Sequence, residues 1–292
     1  MFTGTYTAIV TPFRSGSIDE GALENLIKFQ IKGGVDGIVP VGTTGESPTL
    51  DCAEHIRVIE LAVKFAARKI KVLAGTGANA TREAIELTQA AEKIGADGSL
   101  QVAPYYNKPT QEGLYQHFKA ISKSTKLPIV LYSIPGRCGV EINVETVKRL
   151  ANDCKNIVGI KEAGGSCDRV SQLRAATPPK FEILCGDDSL TLPFMAVGAQ
   201  GVISVASNII PREVSQMVKL FSSGKSAAAI RLHEKFYPLF KDLFIETNPT
   251  PVKAALAMMK MIEEEYRLPL VPMNPKNWDT LRTTLKRCGV LE

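Results

Sequence analysis

Eight short apolar runs alternate with helix-forming segments up to about residue 222, and this alternation limits the possible folds more than any other feature. The runs are Thr7-Val10, Gly37-Val41, Lys71-Ala74, Ser99-Val102, Pro128-Tyr132, Ile157-Ile160, Glu182-Leu184 and Gly201-Val205. Each has the length and composition of a buried strand. Between them, Leu23, Leu26, Ile27 and Ile31 recur at helical spacing, as do Ala84, Leu87, Ala91 and Ile94. Gly33-Gly34 and Gly95 stop these two helices, as glycine commonly does at a C-terminus.

A short internal repeat fixes the register. Gly34-Val35-Asp36-Gly37-Ile38, Gly95-Ala96-Asp97-Gly98-Ser99 and Gly198-Ala199-Gln200-Gly201-Val202 share one pattern: a helix-closing glycine, a tight turn, a second glycine and a strand. The spacings of 61 and 103 residues equal two and four strand-helix units of roughly 26–30 residues. Eight such units predict a closed (β/α)8 TIM barrel over residues 1–224. An open doubly wound sheet is the competing architecture, but no Gly-x-Gly-x-x-Gly turn follows the first run. After residue 224 strand signals disappear. Helical segments over 225–244, 249–265 and 275–289, with breaks near Asn248-Pro249 and Leu268-Pro269, predict a C-terminal helical appendix over 225–292 packed on the barrel.

Composition excludes several functional classes. At 292 residues the chain can bury a substantial core, and 45% hydrophobic with 22% charged residues is ordinary for a globular protein. The net charge of +5 is mild, and the densest basic cluster, Arg68, Lys69 and Lys71, has no interleaved aromatics, so no nucleic-acid partner is expected. No run approaches the apolar length of a membrane span, and no secretory signal is expected at Met1-Phe2-Thr3-Gly4. The cysteines at 52, 138, 154, 167, 185 and 288 form no Cys-x-x-Cys pair, which fits reduced thiols in the cytoplasm. Three dispersed histidines, His55, His117 and His233, offer no metal-ligand spacing, so no metal is expected.

The chemistry gathers after the strands, where a barrel of this kind builds its site. Lys161 is expected at the last position of the sixth strand, where desolvation would lower its pKa and free the amine to attack a carbonyl. A lysine that snorkels to a wet rim and pairs with a carboxylate is the plainer alternative. Gly42-Thr43-Thr44-Gly45-Glu46-Ser47 follows the second strand, either as a simple turn and cap or as a cradle for a small carboxylate. Tyr105-Tyr106 follows the fourth strand, and at most one of the pair should face the site. Tyr132 ends the fifth strand, Arg137 lies in the loop after it, and Gly186-Asp187-Asp188 follows the seventh.

These segments carry a resemblance. Gly42-Thr43-Thr44-Gly45-Glu46, Ala74-Gly75-Thr76-Gly77-Ala78-Asn79, Tyr105-Tyr106-Asn107-Lys108-Pro109, Gln111-Glu112-Gly113-Leu114-Tyr115 and Gly159-Ile160-Lys161-Glu162-Ala163 keep order and spacing across the barrel. On them the chain resembles the class I pyruvate-dependent aldolases, most closely the dihydrodipicolinate synthase family. Two departures stand near Arg137: Ser133 replaces the family's usual Asn and Cys138 its usual Thr.

The resemblance implies a homo-oligomer, a dimer of dimers, that condenses pyruvate with L-aspartate 4-semialdehyde in lysine biosynthesis, with no cofactor beyond its own lysine. It implies that Lys161 forms a Schiff base with pyruvate and that Tyr132, Thr43 and Tyr106 relay protons, Tyr106 from a neighbouring subunit. It further implies that Thr43 and Thr44 hold the pyruvate carboxylate and Arg137 that of the semialdehyde, with Gly186 and Ile203 lining the pocket. Inhibition by L-lysine at Ser47, His55, Asn79, Glu83 and Tyr105 is also implied, although Cys52 and Pro48 depart from familiar bacterial members there. The rivals are a sister aldolase acting on sugar acids, against which Arg137 argues, and a barrel without catalysis, whose mark would be a lost lysine or tyrosine.

Overall fold

A computed structural model describes residues 1–292. Its eight parallel strands close into a barrel in chain order: β1 (Gly4–Ala8), β2 (Gly37–Val39), β3 (Lys71–Gly75), β4 (Gly98–Val102), β5 (Ile129–Ser133), β6 (Ile157–Glu162), β7 (Glu182–Cys185) and β8 (Gly201–Ser204), with β8 hydrogen-bonded to β1. Between them run α1 (Glu20–Gly33), α2 (Cys52–Ala66), α3 (Thr81–Ile94), α4 (Gln111–Lys123), α5 (Val144–Asp153), α6 (Cys167–Ala176) and α7 (Thr191–Ala196). α8 (Pro211–Ser222) completes the ring, and a small hairpin, Phe13–Arg14 with Ser17–Ile18, precedes α1. The (β/α)8 expectation holds.

The internal repeat has a physical cause. Gly34, Gly95 and Gly198 have φ of 75°, 94° and 112°, the left-handed region that a side chain disfavours. Two residues later a side-chain oxygen accepts from the backbone of the preceding strand, in each case at 2.8 Å. Asp36 Oδ2 takes the N–H of Thr5, Asp97 Oδ2 that of Val72, and Gln200 Oε1 that of Ile183. The motif therefore pins each strand start to its neighbour at the end of the barrel away from the site.

The first strand begins earlier than the apolar run predicted, at Gly4 instead of Thr7. Ile9 and Val10 are buried past the last strand residue: Ile9 N–H still bonds Val39 O at 3.2 Å, whereas Val10 N–H turns to Asn208 Oδ1 at 3.3 Å. Apolarity there runs one residue past the last pairing bond. Side chains alternate across each strand. Phe2, Tyr6, Val39, Leu73, Leu100, Val130, Tyr132, Leu184 and Ile203 fill the barrel interior, while a second, larger core lies between sheet and helices.

In the C-terminal region, α9 (Ser226–Asp242), α10 (Thr250–Met258) and α11 (Pro275–Arg287) replace the three expected helices. The second is shorter than expected, ending at Met258 and not 265. Lys260 is left-handed at φ 59°, and Met261 N–H closes back on Leu256 O, which caps the helix. Beyond it the strap 259–274 is held by bonds to the barrel. The Arg267 guanidinium binds Glu54 and the carbonyls of Thr49 and Gly16.

Candidate active site

Lys161 reaches the barrel interior by register. It pairs with Tyr132 on β5 and Leu184 on β7, whose side chains both face inward, so its own does too. The strand runs one residue further than expected, so Lys161 is its penultimate position. Glu162 ends it, facing outward, where its carboxylate accepts from Arg169 Nε at 2.9 Å. Lys161 is buried with Nζ 4.2 Å from the Tyr132 ring centroid. Burial pushes its amine down to about 8, with Asp188 and Cys185 opposing and Arg137 assisting. Gly186 leaves room for this arm, since a Cβ there would stand 3.1 Å from Lys161 Cε and 2.7 Å from Ala163 Cβ.

Tyr132 is also buried. Burial pushes its phenol up to about 12, partly offset by a hydrogen bond with Thr43 and by the Arg137 charge. In the loop after β2, the N–H groups of Gly45, Glu46 and Ser47 return to the carbonyls of Gly42 and Thr43. The N–H groups of Gly42, Thr43 and Thr44 make no such bond. Thr44 is buried, and its hydroxyl accepts from Asn248 Nδ2 at 3.0 Å.

Arg137 lies on a single helical turn, Pro135–Cys138, not in an open loop, and its Nη2 donates to Asn248 O at 3.3 Å. Lys161, Tyr132, Thr43, Thr44, Arg137 and Gly186 surround a cavity of about 50 Å³. Thr43, Tyr132 and Arg137 also border a larger space of about 220 Å³ that opens toward Tyr105. Ile203 sits in the interior layer with Tyr132 and Leu184, and Val205 forms the wall on that side.

The tyrosine pair divides, and only one member faces the cavities, as expected. Tyr105 borders the larger cavity, while Tyr106 is 90% exposed at φ 74° and lines neither space beside Lys161 and Tyr132. Ser47, His55, Glu83 and Tyr105 converge on a small separate cavity of about 40 Å³, with Cys52 at its edge. Asn79 stands beside it, its Nδ2 donating to Tyr105 O at 3.3 Å. His55 Nε2 is 2.8 Å from Gly75 O, and burial lowers the pKa of the ring.

Four residues have roles that the sequence did not reveal. Asn248 was visible only as the residue before a proline. Asp188, noted only as part of a loop, is buried and accepts from Val205 N–H and Ala206 N–H, each at 2.9 Å, and from the Ser204 hydroxyl. That ties the exits of β7 and β8 together. Glu46 and Lys253, 207 residues apart, form a fully buried ion pair. Only the fold brings these partners together.

Residues 1–288 match the dihydrodipicolinate synthetase family. A 4-hydroxy-tetrahydrodipicolinate synthase of Persephonella marina is 53% identical over the full length of both chains. The structure of the 4-hydroxy-tetrahydrodipicolinate synthase from Methylacidiphilum fumariolicum superposes with a TM-score of 0.98 at 60% identity, covering 99% of this chain and 96% of that one. A synthase structure from Cyanidioschyzon merolae, described with lysine bound, superposes at 0.97 with 42% identity over 99% of each chain. With its barrel, its interior lysine and these full-length matches, the chain belongs to the dihydrodipicolinate synthetase family.

Proposed function

We propose that this chain is a 4-hydroxy-tetrahydrodipicolinate synthase, joining pyruvate to L-aspartate 4-semialdehyde through an imine on Lys161. The observation that carries the reading is the buried Lys161 amine, lowered to about 8, over the ring of a buried tyrosine. A free amine at that point attacks the keto carbon of pyruvate and expels water to give the imine. Thr43 and Thr44 N–H groups meet the pyruvate carboxylate. The protonated imine draws electrons and a methyl proton leaves to give the enamine; its carbon bonds to the aldehyde carbon while the aldehyde oxygen takes up a proton and becomes the hydroxyl. The substrate amine then attacks the imine carbon, the bond to Lys161 breaks, and a proton passes from the attacking nitrogen to the departing lysine.

Tyr132, with Thr43 beside it, carries protons at the imine. Arg137 faces the second carboxylate and supports this reading over the sugar-acid aldolases. Purified protein given pyruvate should consume aspartate semialdehyde and ignore sugar and sugar-acid aldehydes. Preference for either of the latter would overturn the assignment.

Tyr106 completes the relay of a neighbouring subunit. Its 90% exposure on the rim supports this role. We extend this to a dimer of dimers, which the exposed Ile230 and Tyr237, seven residues apart on α9, support as a second contact. The free cysteines support a cytoplasmic setting, and no helix is long and apolar enough to cross a membrane. L-lysine is read as the ligand of the small cavity, with Glu83 for its ammonium and Asn79 for its carboxylate. The lysine-bound relative supports this reading. Activity independent of added L-lysine, at pyruvate below saturation, would exclude regulation from that cavity.

A further inference from the structure

The proposed reaction brings an α-amino acid with a side-chain aldehyde into the site, and the walls leave its amine with few partners. Both lobes of the cavity lack any carboxylate, and their only formal charges are the cations Lys161 and Arg137. The two buried acids nearby are already engaged. Asp188 is bound by Ser204, Val205 and Ala206, and Glu46 by Lys253 and the Arg267 N–H.

One polar atom is left over. Asn248 is 4% exposed and lines the cavity beside Lys161, Thr44 and Arg137, yet its Oδ1 has no hydrogen-bond partner. Two other atoms of the residue are engaged: Nδ2 donates to Thr44 Oγ1 at 3.0 Å, and the main-chain oxygen accepts from Arg137 Nη2 at 3.3 Å. A buried carbonyl oxygen without a donor is costly unless a ligand supplies one.

We infer that Asn248 Oδ1 accepts a hydrogen bond from the α-amine of the second substrate, while Arg137 takes the neighbouring carboxylate. The C-terminal region thus completes an amino-acid subsite on the barrel. An α-amino acid presents carboxylate and amine on one carbon, and Asn248 already touches Arg137. A neutral amide suits this task better than a carboxylate. It orients the amine without the negative charge that would favour the ammonium form, and ring closure needs the free amine.

The inference rests on the synthase reading, and the test separates the two. Turnover of aspartate semialdehyde by the unaltered protein tests the reaction itself. Asn248→Ala should then raise the KM for that substrate about tenfold or more. The inhibition constant of succinate semialdehyde, which lacks the amine, should change less than about twofold, on the same scale. Pyruvate trapping at Lys161 by borohydride should persist, showing an intact imine site. Asn248→Asp, which keeps an acceptor, should restore affinity for the substrate but shift the pH for ring closure upward. Equal losses for both semialdehydes, or a larger loss for succinate semialdehyde, would overturn the inference and make Asn248 a support for Thr44 and Arg137. An unchanged KM would overturn it too.

Discussion

At pH 7.5, roughly a quarter of amines with a pKa near 8 are free, against about one in a thousand at the ordinary lysine value. In the proposed mechanism, burial of Lys161 therefore supplies most of the free amine at neutral pH. Because the free base reacts, imine formation with pyruvate should rise with pH and level off just above 8. A rate still climbing at pH 10 would place the amine in the ordinary lysine range. In the proposed reaction Arg137 serves the other substrate. A charge-assisted contact to a carboxylate contributes about 1.5–3 kcal/mol. Arg137→Ala should raise the KM for the semialdehyde roughly ten- to hundredfold and that for pyruvate far less; equal increases would assign it a structural role. Lys161 was legible because an amine at the exit of an apolar strand is costly without a task. Asn248 was not, because its meaning depends on Thr44 and Arg137, 204 and 111 residues away.

At the level of elements, the loop after β2 carries the site on one side and the small cavity on the other. Thr43 and Thr44 face Lys161, whereas Ser47 lines the space beside His55. Glu46 lies between them, left-handed at φ 55° and anchored by Lys253 from α10. Lys253 also stands 4.4 Å from the Phe13 ring centroid, which brings the hairpin into the same contact. Removing the cation leaves a buried carboxylate without compensation, which costs about 3–5 kcal/mol. Lys253→Met should lower stability by about that amount in urea melts, and Glu46→Leu with Lys253→Met should recover most of it. A single variant as stable as the parent would show that the pair does not anchor the loop. The Gly-x-Asp-Gly turns were legible because their glycines and side-chain acceptors act locally. The hairpin and the strap 259–274 were not, since Arg267 and Glu54 hold them by contacts that no local periodicity encodes.

For the whole molecule, the barrel was legible because eight strand-helix units leave few other closures, while the path of residues 259–274 depended on tertiary bonds. Tyr106 is the one member of the proposed relay that its own chain leaves outside the cavity. Subunits carrying Tyr106→Phe and subunits carrying Lys161→Ala, each nearly inactive alone, should regain activity when mixed, because hybrids contain one complete site. Hybrids that form without activity would rule out a shared site. The proposed reaction depends on one covalent bond. Borohydride added with pyruvate should inactivate the enzyme and add one pyruvate-derived mass per chain, located by peptide mass spectrometry at Lys161 and absent from Lys161→Arg. A label on another residue, or inactivation without any label, would contradict the account.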